Sequence, residues 1–267
     1  AGDVERVLSA IPADRPLRGV VHAAGVLDDG LVRQMTPERV SRVFAPKVRG
    51  AWALHTLTRP SPLDFFVLCS SVSAVFGSPG QSNYAAANAW LDALARMRAA
   101  EGLPALSVNW GAWSDVGMAA RLSDGQRDRW AAQGFALIPP ALAGNGLWRA
   151  LKDRRTQAIV QPVDWTVFGR ALGARPIPPL LSELVHQTPA HDRSATTSAD
   201  NGRLMLADTP ADERADRLRA HIRSQIAQVL GLDSDTVVGD DQPLTELGID
   251  SLMAVELSNR LNASLGQ

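Results

Sequence analysis

An α/β layer fold with a parallel sheet, followed by a small all-helical domain, is what this 267-residue sequence predicts. Three observations predict it. Short apolar runs alternate with longer stretches of helical periodicity over residues 1–186, as expected of strands connected by crossover helices. A stretch at 187–211, rich in Ala, Ser, Thr, Asp and Pro, has too few apolar residues to build a core. It reads as a flexible tether, and a purely structural linker would have the same composition. Beyond it the charge changes sign: seven acids and one base come after residue 230, whereas 26 bases and 21 acids precede it.

Taken in order, the first strand falls at Leu17–Ala23. A helix over Thr36–Thr58 comes next, opened by Thr36-Pro37-Glu38, which supplies a hydroxyl cap, a proline at the first helical position and an early acid. The second strand is Asp64–Ser70 and the second helix Asn83–Glu101, Ala-rich and stopped by Gly102 before Pro104. Ala105–Asn109 is the third strand, Pro140–Leu151 a further helix and Ala158–Gln161 the fourth strand. In the 212–267 region, Leu218, Ile222, Ile226, Val229 and Leu230 recur at helical steps until Gly231. A loop with Asp233, Asp235, Asp240 and Asp241 precedes a second helix marked by Leu252, Val255, Leu257 and Leu261.

Composition narrows the function classes. With 45% hydrophobic and 21% charged residues the chain is an ordinary globular protein. A net charge of −1 without a dense basic patch gives no case for nucleic acid, and no Cys/His cluster has metal-ligand spacing. Cys69 is alone and cannot form an internal disulfide. No run is long and apolar enough to span a bilayer and no signal pattern opens the chain, so no membrane partner and a cytoplasmic location are expected.

Two places concentrate chemistry. The second strand ends at Ser70-Ser71 and leads through Phe76-Gly77-Ser78-Pro79-Gly80 to Tyr84, the chain's one tyrosine, at the start of a helix. Tyr84 and Asn88 are four apart and share a helix face, and Ser71 lies where open parallel sheets place their active sites, beyond the carboxyl ends of the strands. Near the other end, Gly248-Ile249-Asp250-Ser251-Leu252 presents a serine at a helix start. Asp250 fits the N-cap, and the unpaired backbone N–H groups around Ser251 favour an anionic phosphodiester. Asp and Ser are also ordinary helix starters, so a plain capping role stays open for the tripeptide taken alone.

The C-terminal pattern of helix, acidic loop, Asp-Ser-Leu and helix resembles the acyl carrier proteins of modular polyketide synthases. That resemblance implies a 4′-phosphopantetheine arm on Ser251, installed by a phosphopantetheinyl transferase. The first part resembles the ketoreductase domains of the same synthases, within the short-chain dehydrogenase/reductase superfamily, through His22-Ala23-Ala24-Gly25, Lys47-Val48-Arg49-Gly50, Ser70-Ser71, Tyr84–Asn88 and Asn109-Trp110-Gly111. It implies a Rossmann-like sheet and a catalytic set of Tyr84, Ser71, Lys47 and Asn88. Tyr84 would be the proton donor, Ser71 would hydrogen-bond the substrate oxygen, and Lys47 would lower the phenol's pKa. Asn88 would order Lys47 and a relay water. Many superfamily members carry lysine four residues after the tyrosine; here Asn88 occupies that place and Lys47 lies upstream, as in polyketide ketoreductases. Ser71 is favoured over Ser70 because it lies thirteen residues before Tyr84.

Leu27-Asp28-Asp29 resembles the motif of ketoreductases that give D-configured β-hydroxy groups, and Phe76 stands where the opposite class carries tryptophan. Asp28 could equally cap the turn before the next helix. Trp113–Met118 resembles the start of the mobile segment that covers substrate.

The function implied is NADPH-dependent reduction of a carrier-bound β-ketoacyl thioester to a β-hydroxyacyl thioester, among other polyketide synthase domains in a multifunctional, antibiotic-type pathway. The alternative is a degenerate, non-catalytic reductase scaffold beside a working carrier. Only the nicotinamide-ribose side of the cofactor would be met, by Lys47 and Tyr84, because no Gly-x-Gly-x-x-Gly loop occurs. The expected organisation is therefore a ketoreductase at 1–186 without its nucleotide-binding part, a linker at 187–211 and a carrier at 212–267 without its last helices. Weak or absent NADPH binding by the chain alone is expected in consequence.

Overall fold

The structure, a computed structural model, describes residues 2–114, 117, 124–172, 177–185, 210, 212–230, 239 and 251–265. The chain forms two compact units, one of Ala1–Leu122 with Phe135–Asp164 and the other of Ser123–Gly134 with Trp165–Gln267.

In the first unit, helix α1 (Gly2–Ser9) precedes strand β1 (Gly19–His22). A 3₁₀ turn at Val32–Gln34 leads to α2 (Pro37–Phe44), a π-helical turn at Ala45–Arg49 and α3 (Gly50–Thr58). Then come β2 (Phe65–Ser71), the short α4 (Ser73–Phe76), α5 (Ser82–Ala100) and β3 (Leu106–Trp110). Helix α6 (Asp124–Ala132) belongs to the second unit, and α7 (Pro140–Lys152) and β4 (Gln157–Val160) complete the first.

The four strands form one sheet in the order β1-β2-β3-β4, every pair parallel, as the alternating pattern predicts. Strand β2 shows why the sheet is covered on both sides. Successive side chains point to opposite faces, so Phe66 and Leu68 join Val20, Ala51, Leu91, Leu94 and Ala95 in one core. Val67, between them, joins Leu106, Val108 and Ala150 in the other. Each fully buried Phe or Leu side chain contributes roughly 2 kcal/mol, which fixes the register, since a one-residue slip would exchange the two faces.

The strand and helix positions expected from sequence agree with these within one or two residues, with one difference of kind. The single helix expected over Thr36–Thr58 is two α-helices joined by the π turn. Thr36 caps α2 as expected, accepting from the Arg39 N–H.

The end of α5 holds an unexpected buried cation. Arg98 is 1% exposed, its guanidinium 3.8 Å from the Phe66 ring centroid, with Nε donating to the Pro104 carbonyl at 3.0 Å and Nη1 2.9 Å from His55 Nδ1. Gly102, at φ +74°, then turns the chain, as the Gly102 stop predicts.

The second unit contains α6, α8 (Trp165–Leu172), α9 (Arg214–Leu230) and α10 (Ser251–Leu265). Ile226 and Val229 of α9 pack with Leu257 of α10, flanked by Ile222 and Leu261, the periodic positions read from sequence. His221 Nε2 lies 2.8 Å from Ser264 Oγ, and Arg260 Nη1 donates to Gln228 Oε1 at 3.1 Å. The tether apart from Pro210, the acidic loop apart from Gly239, Asp250, and residues 115, 116 and 118 of the Trp113–Met118 segment lie outside the described residues.

Candidate active site

The site is built at the carboxyl end of the sheet, where β2 hands over to α4 and α5. Ser70 and Ser71 are adjacent on β2, so their side chains leave opposite faces. Ser70 is buried and structural: its hydroxyl donates to the Asn88 carbonyl at 3.2 Å and accepts from Asn109 Nδ2 at 3.0 Å. Ser71 Oγ accepts the Ser73 N–H at 3.2 Å and acts on the Tyr84 phenol, whose upward shift by burial it opposes. Geometry therefore separates the two serines the way the thirteen-residue spacing does.

Tyr84 and Asn88 lie one turn apart on α5 and are 7% and 0% exposed. Asn88 Nδ2 donates to the Tyr84 carbonyl at 2.9 Å, and its Oδ1 is buried with no protein partner. Asn83, beside them, accepts the Tyr84 N–H at 2.8 Å and donates from Nδ2 to the Asp28 carbonyl at 2.9 Å.

Lys47 reaches the same place from 37 residues upstream. The π turn carries it inward; the side chain is 3% exposed, and Nζ donates to the Cys69 carbonyl at 3.0 Å and stands 5.2 Å from the Tyr84 ring centroid. Gly25 lets the loop after β1 pass over it, since a Cβ there would lie 3.1 Å from Lys47 Cε. Lys47, Ser71, Tyr84 and Asn88, drawn from three segments, are thus brought together.

Electrostatics corrects one expectation. The Tyr84 phenol is not pulled down by Lys47; burial pushes it above its ordinary value, opposed by hydrogen bonds to Asn88 and Ser71. The reason is shared burial: desolvation brings the Lys47 ammonium down to about 8, with the fields of Cys69 and Asp92 resisting. His22, also buried, is lowered by burial and by Lys47's charge, and the Cys69 thiol is raised by burial.

The Leu27–Asp29 loop is fastened rather than free. Asp28 pairs with Arg39 Nε at 2.8 Å and with Arg42 Nη1 at 3.1 Å, and Asp29 accepts from Gln81 Nε2 at 2.9 Å. Arg39 also donates to the Asp29 carbonyl, and the Gly30 N–H donates to the Gly80 carbonyl at 2.7 Å. Asp28 does not cap α2, whose cap is Thr36. Leu27 is 40% exposed at the rim of this loop.

Sequence reasoning missed the polar residues behind the site. Asp92, 4% exposed, accepts from Ser107 Oγ at 2.5 Å and from Asn109 Nδ2 at 2.8 Å. Asn109 Nδ2 also approaches the Ser71 carbonyl at 3.2 Å, and Gln157 Nε2 donates to Asn109 Oδ1 at 2.9 Å. The available signal was phase: Asp92 is eight residues after Tyr84, nearly the same face of α5.

Ser251 is the first residue of the fifteen-residue α10. The first turn of such a helix leaves backbone N–H groups unpaired. Among the described residues there is no metal-binding cluster and no helix long and apolar enough to cross a membrane.

Comparison with known proteins agrees with this geometry. Residues 1–115 match the KR domain family, and 220–267 match the phosphopantetheine attachment site family. Polyketide synthase GfsB of Streptomyces halstedii is 44% identical over 269 residues, covering 97% of this chain and 5% of that protein. Spectinabilin polyketide synthase system protein NorB of Streptomyces orinoci is 44% identical over 269 residues, covering 98% of this chain and 12% of its own length. The chain thus spans a small part of the curated relatives it matches. An A-type ketoreductase structure from a modular polyketide synthase aligns with a TM-score of 0.64 and 41% identity, over 68% of this chain and 38% of that one.

Proposed function

Because the chain belongs to the ketoreductase and carrier segments of modular polyketide synthases, we propose that it serves NADPH-dependent reduction of a carrier-bound β-ketoacyl thioester. The product is the β-hydroxyacyl thioester. The convergence of Lys47, Ser71, Tyr84 and Asn88 at the carboxyl end of a parallel sheet carries this reading. We place the reductase at 1–186, the linker at 187–211 and the carrier at 212–267.

The residues present fit the nicotinamide-ribose side of NADPH. A buried cation and a buried phenol lie together under a loop held open at Gly25, and Asn88 Oδ1 is an acceptor without a protein partner. Lys47 and Tyr84 would hold that side of the cofactor, which supplies hydride when bound.

The chain's own residues handle the proton. With its pKa raised by burial, the Tyr84 phenol is protonated at neutral pH and can donate to the substrate oxygen as charge develops there. Ser71 hydrogen-bonds the same oxygen. The phenolate left on Tyr84 is stabilised by Lys47 and by the hydrogen bonds from Ser71 and Asn88. Asn88 Oδ1 can accept from a water that returns the proton by way of Lys47.

Ser251 is the proposed attachment point of 4′-phosphopantetheine, delivered by a phosphopantetheinyl transferase in the cytoplasm. The acidic surroundings of the carrier suit basic partner surfaces on other synthase domains. The fastened Leu27-Asp28-Asp29 loop, with Phe76 in place of tryptophan, supports a D-configured alcohol.

The test is Tyr84→Phe in an intact synthase module. NADPH consumption with a carrier-bound β-ketoacyl substrate is expected to fall by roughly 10²–10⁴-fold. Reduction near the wild-type rate would remove the acid assignment.

A further inference from the structure

Behind the reacting groups, in a part of the molecule the mechanism does not use, lies a closed set of buried polar side chains. Asp92 on α5 takes two hydrogen bonds from β3, from Ser107 Oγ at 2.5 Å and from Asn109 Nδ2 at 2.8 Å. Asn109 turns the same amide toward β2, reaching Ser70 Oγ at 3.0 Å and the Ser71 carbonyl at 3.2 Å. Its other end is held from β4 by Gln157, itself bonded to Arg96 of α5 at 2.7 Å. Asp92, Ser107, Asn109 and Ser70 are all at most 4% exposed, so water cannot replace a bond that is lost.

A carboxylate only accepts, and an amide NH₂ only donates. Asp92 therefore dictates which way the Asn109 amide faces: NH₂ toward α5 and β2, oxygen toward Gln157. With one N–H given to Asp92, that orientation leaves the other shared between the Ser71 carbonyl and the Ser70 hydroxyl. Ser70 in turn donates to the Asn88 carbonyl. The chain of contacts from the Asp92 carboxylate ends at the backbone carbonyls of two residues of the proposed catalytic set, Ser71 on β2 and Asn88 on α5, with no hydrogen bond linking that carboxylate to either side chain.

We propose that Asp92 is a positioning residue for the reductase centre, orienting Asn109 so that the end of β2 presents the Ser71 hydroxyl to Tyr84. The inference rests on the reductase reading above. It has an electrostatic corollary, because Asp92 is also one of the negative groups whose field favours the Lys47 ammonium. The groups facing Lys47 are His22 from β1, Cys69 from β2, and Tyr84 and Asp92 from α5. Asp92 is the one carboxylate among them.

The experiment uses Asp92→Asn and Ser70→Ala in an intact module, with Tyr84→Phe alongside, reading kcat, KM and the pH dependence of reduction. Asp92→Asn keeps size and can keep one hydrogen bond while losing the charge. It is expected to lower kcat by about tenfold, since small displacements of a reacting group are costly, and to leave KM within about twofold. The alkaline limb of its pH profile moves to lower pH, because Lys47 loses its proton more easily. Ser70→Ala removes the branch of the link that runs from Asn109 through Ser70 to Asn88 but keeps the charge, so kcat falls while the alkaline limb stays in place. A purely structural role predicts otherwise: activity lost only in proportion to the folded fraction seen by circular dichroism, with an unmoved pH profile for Asp92→Asn. That result overturns the proposal. If Asp92→Asn does not fold, wild-type kcat in Ser70→Ala overturns it as well. Full activity in Tyr84→Phe sinks the reductase reading itself, whereas an inactive Tyr84→Phe beside an unaffected Asp92→Asn sinks only this inference.

Discussion

At the scale of single residues, Lys47 shows how function and stability pull apart. Its ammonium is nearly fully buried and titrates at about 8 instead of 10.5, so between those values the unfolded chain holds a proton that the folded one has released. Stability from this group is thus fully present above 10.5 and lost as pH falls through about 8. Urea unfolding should show the first unit gaining about 1.5 kcal/mol between pH 8 and 9.5 from this group, a gain that Lys47→Met abolishes. Reduction should move the opposite way, declining as pH rises past about 8, because the phenolate of Tyr84 then loses its positive neighbour. Equal pH slopes of stability in wild type and Lys47→Met would contradict this account of the burial. Tyr84 and Asn88 were legible as a pair because a four-residue step defines a helix face, and Ser71 because of its place at a strand end. The upward shift of the phenol was not legible, since it depends on how deeply two distant segments bury each other. Nor was Asp92 readable as buried: a polar residue inside an Ala-rich helix looks like solvent-facing surface until its partners on β3 are in place.

At the scale of elements, strands and helices emerged from the sequence because apolar alternation and caps are local signals. The core clusters arise from the same signals: Phe66 and Leu68 on one side of β2 and Val67 on the other are what a doubly covered parallel strand requires. Helix α10 was likewise readable, and Ser251 is its first residue. Modification depends on the serine being at the helix start. Incubated with coenzyme A and a phosphopantetheinyl transferase, the chain should gain the mass of one phosphopantetheine by intact-mass spectrometry, and Ser251→Ala should gain none. Modification that persists in Ser251→Ala would place the arm elsewhere. The break in Thr36–Thr58 escaped the pattern because helical periodicity continues through it on either side, and only the phase changes.

For the whole molecule, segments matching a ketoreductase and a phosphopantetheine carrier share one polypeptide. Tethering converts a bimolecular encounter into an intramolecular one, so in an intact module a β-ketoacyl chain on Ser251 should be reduced at least roughly tenfold more efficiently than the same acyl group on a small soluble thioester. Equal efficiency with both substrates would favour a free-standing reductase. The hydroxyl formed should be D-configured on chiral chromatography, as the Leu27–Asp29 loop implies. An L product would assign that loop to holding α2 and α5 through Arg39, Arg42 and Asn83 without steering the substrate.

The π turn at Ala45–Arg49 has a practical corollary for protein engineering. A π bulge is in effect one surplus residue accommodated within an α-helix, and each residue added rotates the downstream part of the helix by roughly 100°. Grafting this lysine onto an uninterrupted helix of another scaffold would swing the amine off target, so the surplus residue must be transplanted with it. Excising that residue here offers a way to dial the amine out of reach while leaving Ser71, Tyr84 and Asn88 chemically unaltered.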